Sequence, residues 1–361
     1  MNPVNSNLPE TMSAAVYRGE RNVIVEEIPT PQIGPGEILI RVEACGVCHT
    51  DLKKVEYNLL PPPRVYGHET AGTVAQAGEG VTAYKPGDRV IVFHHIPCSD
   101  CFYCARKLYA QCPVYKKVGV TAGFEPAGGG FSQYVRVMDW IVRAGVEKIP
   151  DGVSFEEASF VEPVNTCLKA VETSGASPGD VVLVMGQGPI GLIFTMMLAQ
   201  RGCRVVTTDT IPARLALSKQ SGALLSLDPR QNDVTAEVKR LTENRGADLV
   251  FVATAVPGLV EQAVAASRPG AKICLFAQTS EKERIDLSGS SICVGERMLF
   301  GSYSASVDLQ KQSANLVFSG ALPVNLLISH RVPLANIREA FALATNPTES
   351  SLKIIVQCNQ V

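Results

Sequence analysis

The amino-acid sequence predicts an α/β protein of two domains, a β-rich first part followed by a parallel sheet covered by helices on both faces. Three observations carry this prediction. Short strand-like runs separated by Gly/Pro turns fill the first ~155 residues. Beyond about Pro163, continuous apolar runs alternate with helical stretches, the pattern of strands buried on both faces. A length of 361 residues allows two or three domains, each with its own core.

In the first part, Ile38–Val42 follows the turn Gly34-Pro35-Gly36, Gly72–Ala77 comes next, and Arg89–Phe93 follows Lys85-Pro86-Gly87-Asp88. Such even punctuation predicts an all-β, barrel-like domain. In the second part Val181–Met185 is a strand, a glycine turn follows, and a helix runs from Pro189 to Arg201 and stops at Gly202. The run Val205–Thr208 leads to a second helix opened by Pro212 and closed near Gly222, and Leu249–Ala253 and Ile273–Ala277 are further buried strands. Proline at a helix start and glycine just past its end fit because the first turn needs no N–H there and the closing residue is often left-handed. After about Ser302 the chain returns to mixed helix and strand, ending in the strand-like Leu352–Gln357, whose partner the sequence alone does not name.

An apolar fraction of 46% and a charged fraction of 19% belong to an ordinary globular chain. The net charge is −2 and no basic face stands out, so a nucleic-acid partner has no electrostatic footprint. Met1 to Met12 is polar, holds two prolines, and lacks the basic and apolar regions of a secretory signal. The longest nearly unbroken apolar run, about Ile190 to Ala199, is too short to span a bilayer. A cytoplasmic protein with no membrane partner is expected.

Eleven cysteines need an account. In a reducing compartment, clustered cysteines bind metal more often than they pair. Cys98-x2-Cys101-x2-Cys104-x7-Cys112 is the strongest signal in the chain: four thiolates at these spacings can close a tetrahedron around zinc with no open position, which makes a structural site. An iron–sulfur cluster also uses four cysteines. Cys167, Cys203, Cys274, Cys293 and Cys358 are scattered in apolar stretches and read as small core residues.

The second signal is Gly186-Gln187-Gly188-Pro189-Ile190-Gly191, which follows the strand Val181–Met185 and opens a helix. In that context Gly186 allows a tight turn, Gly188 lets a pyrophosphate approach, and Gly191 permits close helix–strand packing. The helix N-terminus at Pro189 and Ile190 then faces the phosphates. An acid closes the next strand, Asp209, eighteen residues past Gly191. It can bind both ribose hydroxyls and would repel the 2′-phosphate of NADP, which favours NAD. Arg214 lies a few residues late, either a cofactor contact or a solvated helix residue.

The third signal is spread along the chain: Cys48-His49-Thr50-Asp51, Gly67-His68-Glu69, and Glu162-Pro163. Cysteine, histidine and carboxylate are all competent zinc ligands, and three with one open position make a catalytic site. Singly each is weak, since a lone His68 is as readily a hydrogen-bonded core residue.

Together these motifs, with Gly46-Val47 and the late Glu296-Arg297 and Gly301-Ser302, resemble the zinc-containing medium-chain dehydrogenases, the superfamily of alcohol, sorbitol and threonine dehydrogenases. The resemblance runs from about Met12 to the end. It implies a GroES-like catalytic domain of residues 12–163 and 303–361, with a structural zinc lobe at 94–115. A Rossmann doubly wound coenzyme domain, 164–302, would be inserted between them. It implies two zinc ions per chain and NAD, a small-molecule alcohol or ketone as substrate, and a homodimer or homotetramer.

By this resemblance Cys48, His68 and Glu162 align with the catalytic zinc ligands and Glu69 with a carboxylate that can swap with water. Cys45 aligns with no ligand. Thr50 would bind the substrate oxygen, His49 would approach the pyrophosphate, and Asp51 would orient a ligand. Glu162 points to the sorbitol and threonine enzymes, whereas Cys48-His49-Thr50-Asp51 looks like the yeast alcohol enzymes, so a polyol or other secondary alcohol is favoured over a simple primary one. Where many relatives place a relay histidine this chain has Lys53, either an amine that passes a proton if burial lowers its pKa, or a solvated side chain with a water chain relaying the proton instead. Substrate would meet the loops Tyr57–Pro61, Phe124–Phe131 and Phe300–Ser304. The alternatives are a zinc-free NADPH quinone or enoyl reductase, and a zinc-stabilised NAD-binding protein without chemistry.

Overall fold

The structure is a computed structural model that describes residues 8–93, 95–115, 129–277 and 284–359. The chain divides into two compact units, Met1–Pro163 with Ser306–Val361, and Val164–Ala305.

The first unit is built on a seven-stranded sheet. Its strands run in the order Ile328–Pro333, Lys353–Gln357, Ile38–Gly46, Glu69–Ala77, Arg89–Val92, Val146–Lys148, and Tyr134–Val137 also pairs with Ile38–Gly46. A smaller sheet joins Val23–Pro29, Thr11–Tyr17 and Arg64–Val65. The last strand thus finds its partner near the start of the chain: Lys353–Gln357 runs antiparallel to Ile38–Gly46, with Ile355 opposite Gly46. On its other side Gly46 lies opposite Glu69. One row across three strands therefore brings residue 355, residue 46 and residue 69 together.

This unit is not all strand. His49–Glu56 is a helix, and its start is written in the sequence as a cap: the Asp51 side chain accepts the Cys48 N–H while Cys48 sulfur accepts from Thr50 N–H. Such reciprocal capping satisfies N–H groups that the first turn leaves open. The strand read as Gly72–Ala77 begins three residues earlier, at Glu69, so Glu69 is fixed by sheet pairing.

The second unit is a six-stranded sheet, parallel throughout. Its order is Leu225–Leu227, Arg204–Thr208, Val181–Met185, Ala247–Val252, Ser267–Leu275, Met298–Gly301, which in the unit's own sequence is 3-2-1-4-5-6. This is the doubly wound order that places a dinucleotide at the strand ends where the order reverses. Val181–Met185 is buried at every position, as a central strand with helices on both faces requires. The helix Pro189–Gln200 after it is buried along Gly191–Leu198, which is why the sequence shows it as a nearly continuous apolar run. Among the described residues no helix is long and apolar enough to cross a membrane.

Candidate metal centres and dinucleotide turn

The four cysteines of the lobe come together. Their sulfurs all lie within 4.8 Å of one another, and none is in a disulfide. Cys101 and Cys104 sulfurs are 3.5 Å apart, Cys98 and Cys112 3.5 Å, Cys98 and Cys104 3.9 Å. A tetrahedron with zinc–sulfur bonds of about 2.3 Å has edges of about 3.8 Å, so the donors fit one zinc ion. A cube of four irons would hold its thiolates further apart. Backbone N–H groups point at the sulfurs: although burial works to raise Cys112, the N–H groups of Cys98 and Val114 outweigh it and bring its pKa down to about 6. Burial pushes Cys104 up to about 12. Among the described residues the lobe's own core is Cys104, Ala110, Cys112 and Tyr115, with Cys101 and Tyr109 packed against it, a small apolar area for which a bound ion would compensate.

The second cluster draws on distant parts of the first unit. Cys48 caps the helix His49–Glu56, and His68 and Glu69 lie at the head of the strand Glu69–Ala77. Ligand atoms of Cys48, His68 and Glu69 lie within 4.8 Å of one another. Asp51, fully buried, ties them together: its Oδ1 is 3.0 Å from His68 Nδ1 and its Oδ2 accepts the Cys48 N–H at 3.3 Å. Burial works against charge on both partners, yet the carboxylate of Asp51 keeps the His68 pKa raised and His68 keeps that of Asp51 lowered. Glu162 stands outside the trio but shares its field. Burial pushes its carboxyl up to about 7, with His68 and Lys353 pulling it down and Glu69 and Asp51 pushing it further up. The donor set of one thiol, one imidazole and two carboxyls suits a divalent zinc ion.

By the resemblance Asp51 was expected to orient a ligand, and its carboxylate meets His68 Nδ1 and the Cys48 N–H. Two features of this centre were not legible in the sequence as functional. One is Lys353, whose ammonium pairs with Glu69 and donates to Val47 O at 3.2 Å. The other is Gly46, because a side chain there would strike the Glu69 carboxylate. A charged residue opening the buried run Ile354–Val356 was the available signal for Lys353. Thr50 is half-buried and His49 exposed at the same helix start. Lys53 is half-buried on that helix, and burial lowers its pKa against the opposing pull of Cys48. Cys45 is buried and takes no part in the trio. Cys293, read as a core residue, is exposed, whereas Cys167, Cys203, Cys274 and Cys358 are buried.

In the second unit the three glycines separate by role. Gly186 has φ +92°, where any side chain is strained, and its Cβ would meet Thr254. A Cβ on Gly191 would fall 1.8 Å from Gly186 O, so helix and turn touch there. At Gly188, the extended N-cap before Pro189 and Ile190, a Cβ would meet nothing within 4 Å, which leaves room for a pyrophosphate. Buried Gln187 pins the turn by donating to Gly186 O at 3.0 Å and accepting from Thr195 at 2.9 Å. Asp209 accepts the Gln187 N–H at 2.7 Å and the Ile211 N–H at 2.9 Å, which aims its carboxylate beside the turn. Arg214 is not a solvated helix residue: its side chain is 14% exposed and lies 4.0 Å from Asp209. Of the substrate loops, Tyr57 and Leu59 are exposed, while residues 124–128 of Phe124–Phe131 lie outside the described residues.

Two family models match, the alcohol dehydrogenase GroES-like domain over residues 34–151 and the zinc-binding dehydrogenase over residues 189–319. The chain belongs to the zinc-containing medium-chain dehydrogenase superfamily. It is 31% identical to the (R,R)-butanediol dehydrogenase of Neisseria gonorrhoeae, over 96% of this chain and 100% of that protein. It is also 29% identical to the sorbitol dehydrogenase of Bacillus subtilis, over 98% and 99%. Among solved structures, a zinc-binding dehydrogenase from Sinorhizobium meliloti bound to NADP superposes with a TM-score of 0.87 at 26% identity, over 97% of this chain and 100% of that one.

Proposed function

We propose that the protein oxidises a polyol or other secondary alcohol, a vicinal diol foremost, to the ketone with NAD as acceptor. The observation that carries this is the cluster of Cys48, His68 and Glu69 with Glu162 buried in its field, cross-linked by Asp51. The relatives named for sorbitol and butanediol support the substrate class. Both act by name on a carbinol flanked by a second hydroxyl, and both resemble the chain over nearly its whole length.

Zinc at this centre supplies a Lewis acid toward the substrate oxygen, and NAD supplies the hydride acceptor. Cys48, His68 and Glu162 would hold the ion, His68 through Nε2, because its Nδ1 faces Asp51. Thr50 Oγ1 would accept the substrate hydroxyl proton, and Lys53, whose pKa burial lowers, would be the next group in line one helical turn further on. Cys98, Cys101, Cys104 and Cys112 would hold a second, purely structural ion. Residues 164–302 are proposed as the coenzyme domain, with Gly186, Gly188 and Gly191 around the pyrophosphate and Asp209 on the ribose hydroxyls. Asp209 favours NAD, although the Sinorhizobium protein carries NADP. Residues 12–163 and 303–361 are proposed as the catalytic domain. A homodimer or homotetramer in the cytoplasm is part of the same reading.

A panel of sorbitol, butane-2,3-diol, threonine and ethanol, each with NAD and with NADP, tests it through the absorbance of reduced nicotinamide. Turnover of the diols with NAD is expected to exceed that of ethanol at least tenfold. Equal or better turnover of ethanol, or none with any alcohol, contradicts the substrate class.

A further inference from the structure

In the second unit the carboxyl ends of the strands are stitched into one row that continues past the strands themselves. Gly186 N–H donates to Thr208 O at 2.8 Å, Ala253 N–H to Met185 O at 2.9 Å, Ala277 N–H to Val252 O at 3.1 Å, and Ser302 N–H to Leu275 O at 3.3 Å. The row runs from the strand that ends beside Asp209, past the glycine turn, to the segment Ser302–Ala305 that follows the last strand, Met298–Gly301. Ser302 stands three strands along from Gly186, about 14 Å at the usual strand spacing. With the pyrophosphate at Gly188 and the adenosine ribose at Asp209, the other half of an extended dinucleotide points along this row toward Ser302–Ala305.

That segment is tied by a lysine. Lys169, half-buried on the helix Val161–Ser174, donates from Nζ to Tyr303 O at 2.9 Å and to Ser304 O at 3.5 Å. Successive carbonyls of an extended chain point to opposite sides, so two of them share one donor only where the chain turns. Ser304 makes the turn: its φ is +60°, a left-handed conformation that residues with a side chain seldom enter. A trans peptide holds its C=O and N–H on opposite sides, so fixing the Tyr303 carbonyl on Lys169 aims the Ser304 N–H the other way. The segment also holds a polar group that the protein leaves unanswered. Ser302 is 7% exposed, and its Oγ has no hydrogen-bond partner among the described residues. A buried hydroxyl costs free energy until some group bonds to it, which marks this segment as a surface shaped for a polar ligand.

We propose that Lys169 is a positioning residue for the nicotinamide half of the cofactor. It locks Ser302–Ala305 into the left-handed turn against which that half lies, and it takes no part in holding the adenosine half. The proposal rests on the reading of Gly186–Gly191 and Asp209 as the pyrophosphate and ribose sites.

The test compares two ligands of the purified enzyme by titration calorimetry: NADH, which carries both halves, and ADP-ribose, which lacks the nicotinamide ring. In Lys169→Met the Kd of NADH is expected to rise about tenfold, the loss of a charged anchor, while that of ADP-ribose stays within about twofold of wild type. Lys169→Arg, which keeps the charge and the donors, should hold NADH to within about threefold of wild type. Kd values for the two ligands that rise together in Lys169→Met describe a general loosening of the unit and overturn the proposal, as does unchanged binding of NADH. Should Lys169→Met not fold, Lys169→Gln is measured in its place, and the ratio of the two Kd values decides by the same outcomes. Wild-type enzyme that binds neither ligand means that the reading of the glycine turn has failed, which is a separate outcome.

Discussion

The Asp51 carboxylate touches both His68, at 3.0 Å on Nδ1, and the backbone N–H of Cys48, at 3.3 Å, from a position with no solvent exposure. One buried side chain thus sets the orientation of two proposed ligands that stand twenty residues apart. A carboxylate on the far nitrogen of a ligating histidine fixes its tautomer and raises its basicity. Asp51→Asn keeps the shape and removes the charge. Its affinity for the second zinc should fall about 10- to 100-fold, measured by chelator competition, with the lobe zinc unaffected.

Gly188 and Gly191 should behave oppositely. An added methyl at Gly188 meets no protein atom, whereas at Gly191 it meets Gly186 O at 1.8 Å. Gly188→Ala is expected to melt like wild type yet bind NAD at least about tenfold more weakly, the loss of one or two close contacts to the pyrophosphate. Gly191→Ala should lower the melting temperature as well as the affinity. Calorimetric melting and NAD titration of the two variants check this.

Cys101→Ser removes one of four sulfurs around which a four-residue core is arranged. It should lower the melting temperature and the zinc content by one ion per chain. Activity of the protein still folded at low temperature should stay within about twofold of wild type, since a closed structural site takes no part in turnover. Unchanged melting with lost activity would assign the lobe a different role.

Much of this was legible in the sequence. The four-cysteine spacing, the glycine turn and the order of buried runs each depend on near neighbours along the chain, and near neighbours are what periodicity and spacing report. The strand Val181–Met185 and the helix starting at Pro189 stand where they were expected. Less legible was the short helix His49–Glu56, because its capping residues Cys48 and Asp51 are also the residues around the metal. Least legible were Lys353 and Gly46, whose meaning lies in a sheet pairing across about 300 residues. No local pattern distinguishes Gly46 from any strand-end glycine until Glu69 and Lys353 are placed beside it.

Acid should weaken the first unit through Glu37. Burial works to raise its pKa, but Arg136, bonded at 2.7 and 2.8 Å, and the Gly34 N–H outweigh burial and hold it below the ordinary value. A carboxyl with a depressed folded pKa contributes stability that is full above its unfolded value, about 4.3. That contribution is lost as pH falls through the folded value. Glu37→Gln should therefore show a smaller drop in urea midpoint between neutral pH and pH of about 3.5 than wild type does. An equal drop in both would remove Glu37 from the account of acid sensitivity.

The most direct test of the central claim is the turnover of Cys48→Ser with butane-2,3-diol and NAD, read beside zinc content and NAD binding. The account predicts one zinc lost, NAD binding retained, and diol oxidation reduced at least about a thousandfold, the loss of the Lewis acid. Oxidation within tenfold of wild type, with the second zinc still bound or with none ever bound, would contradict it.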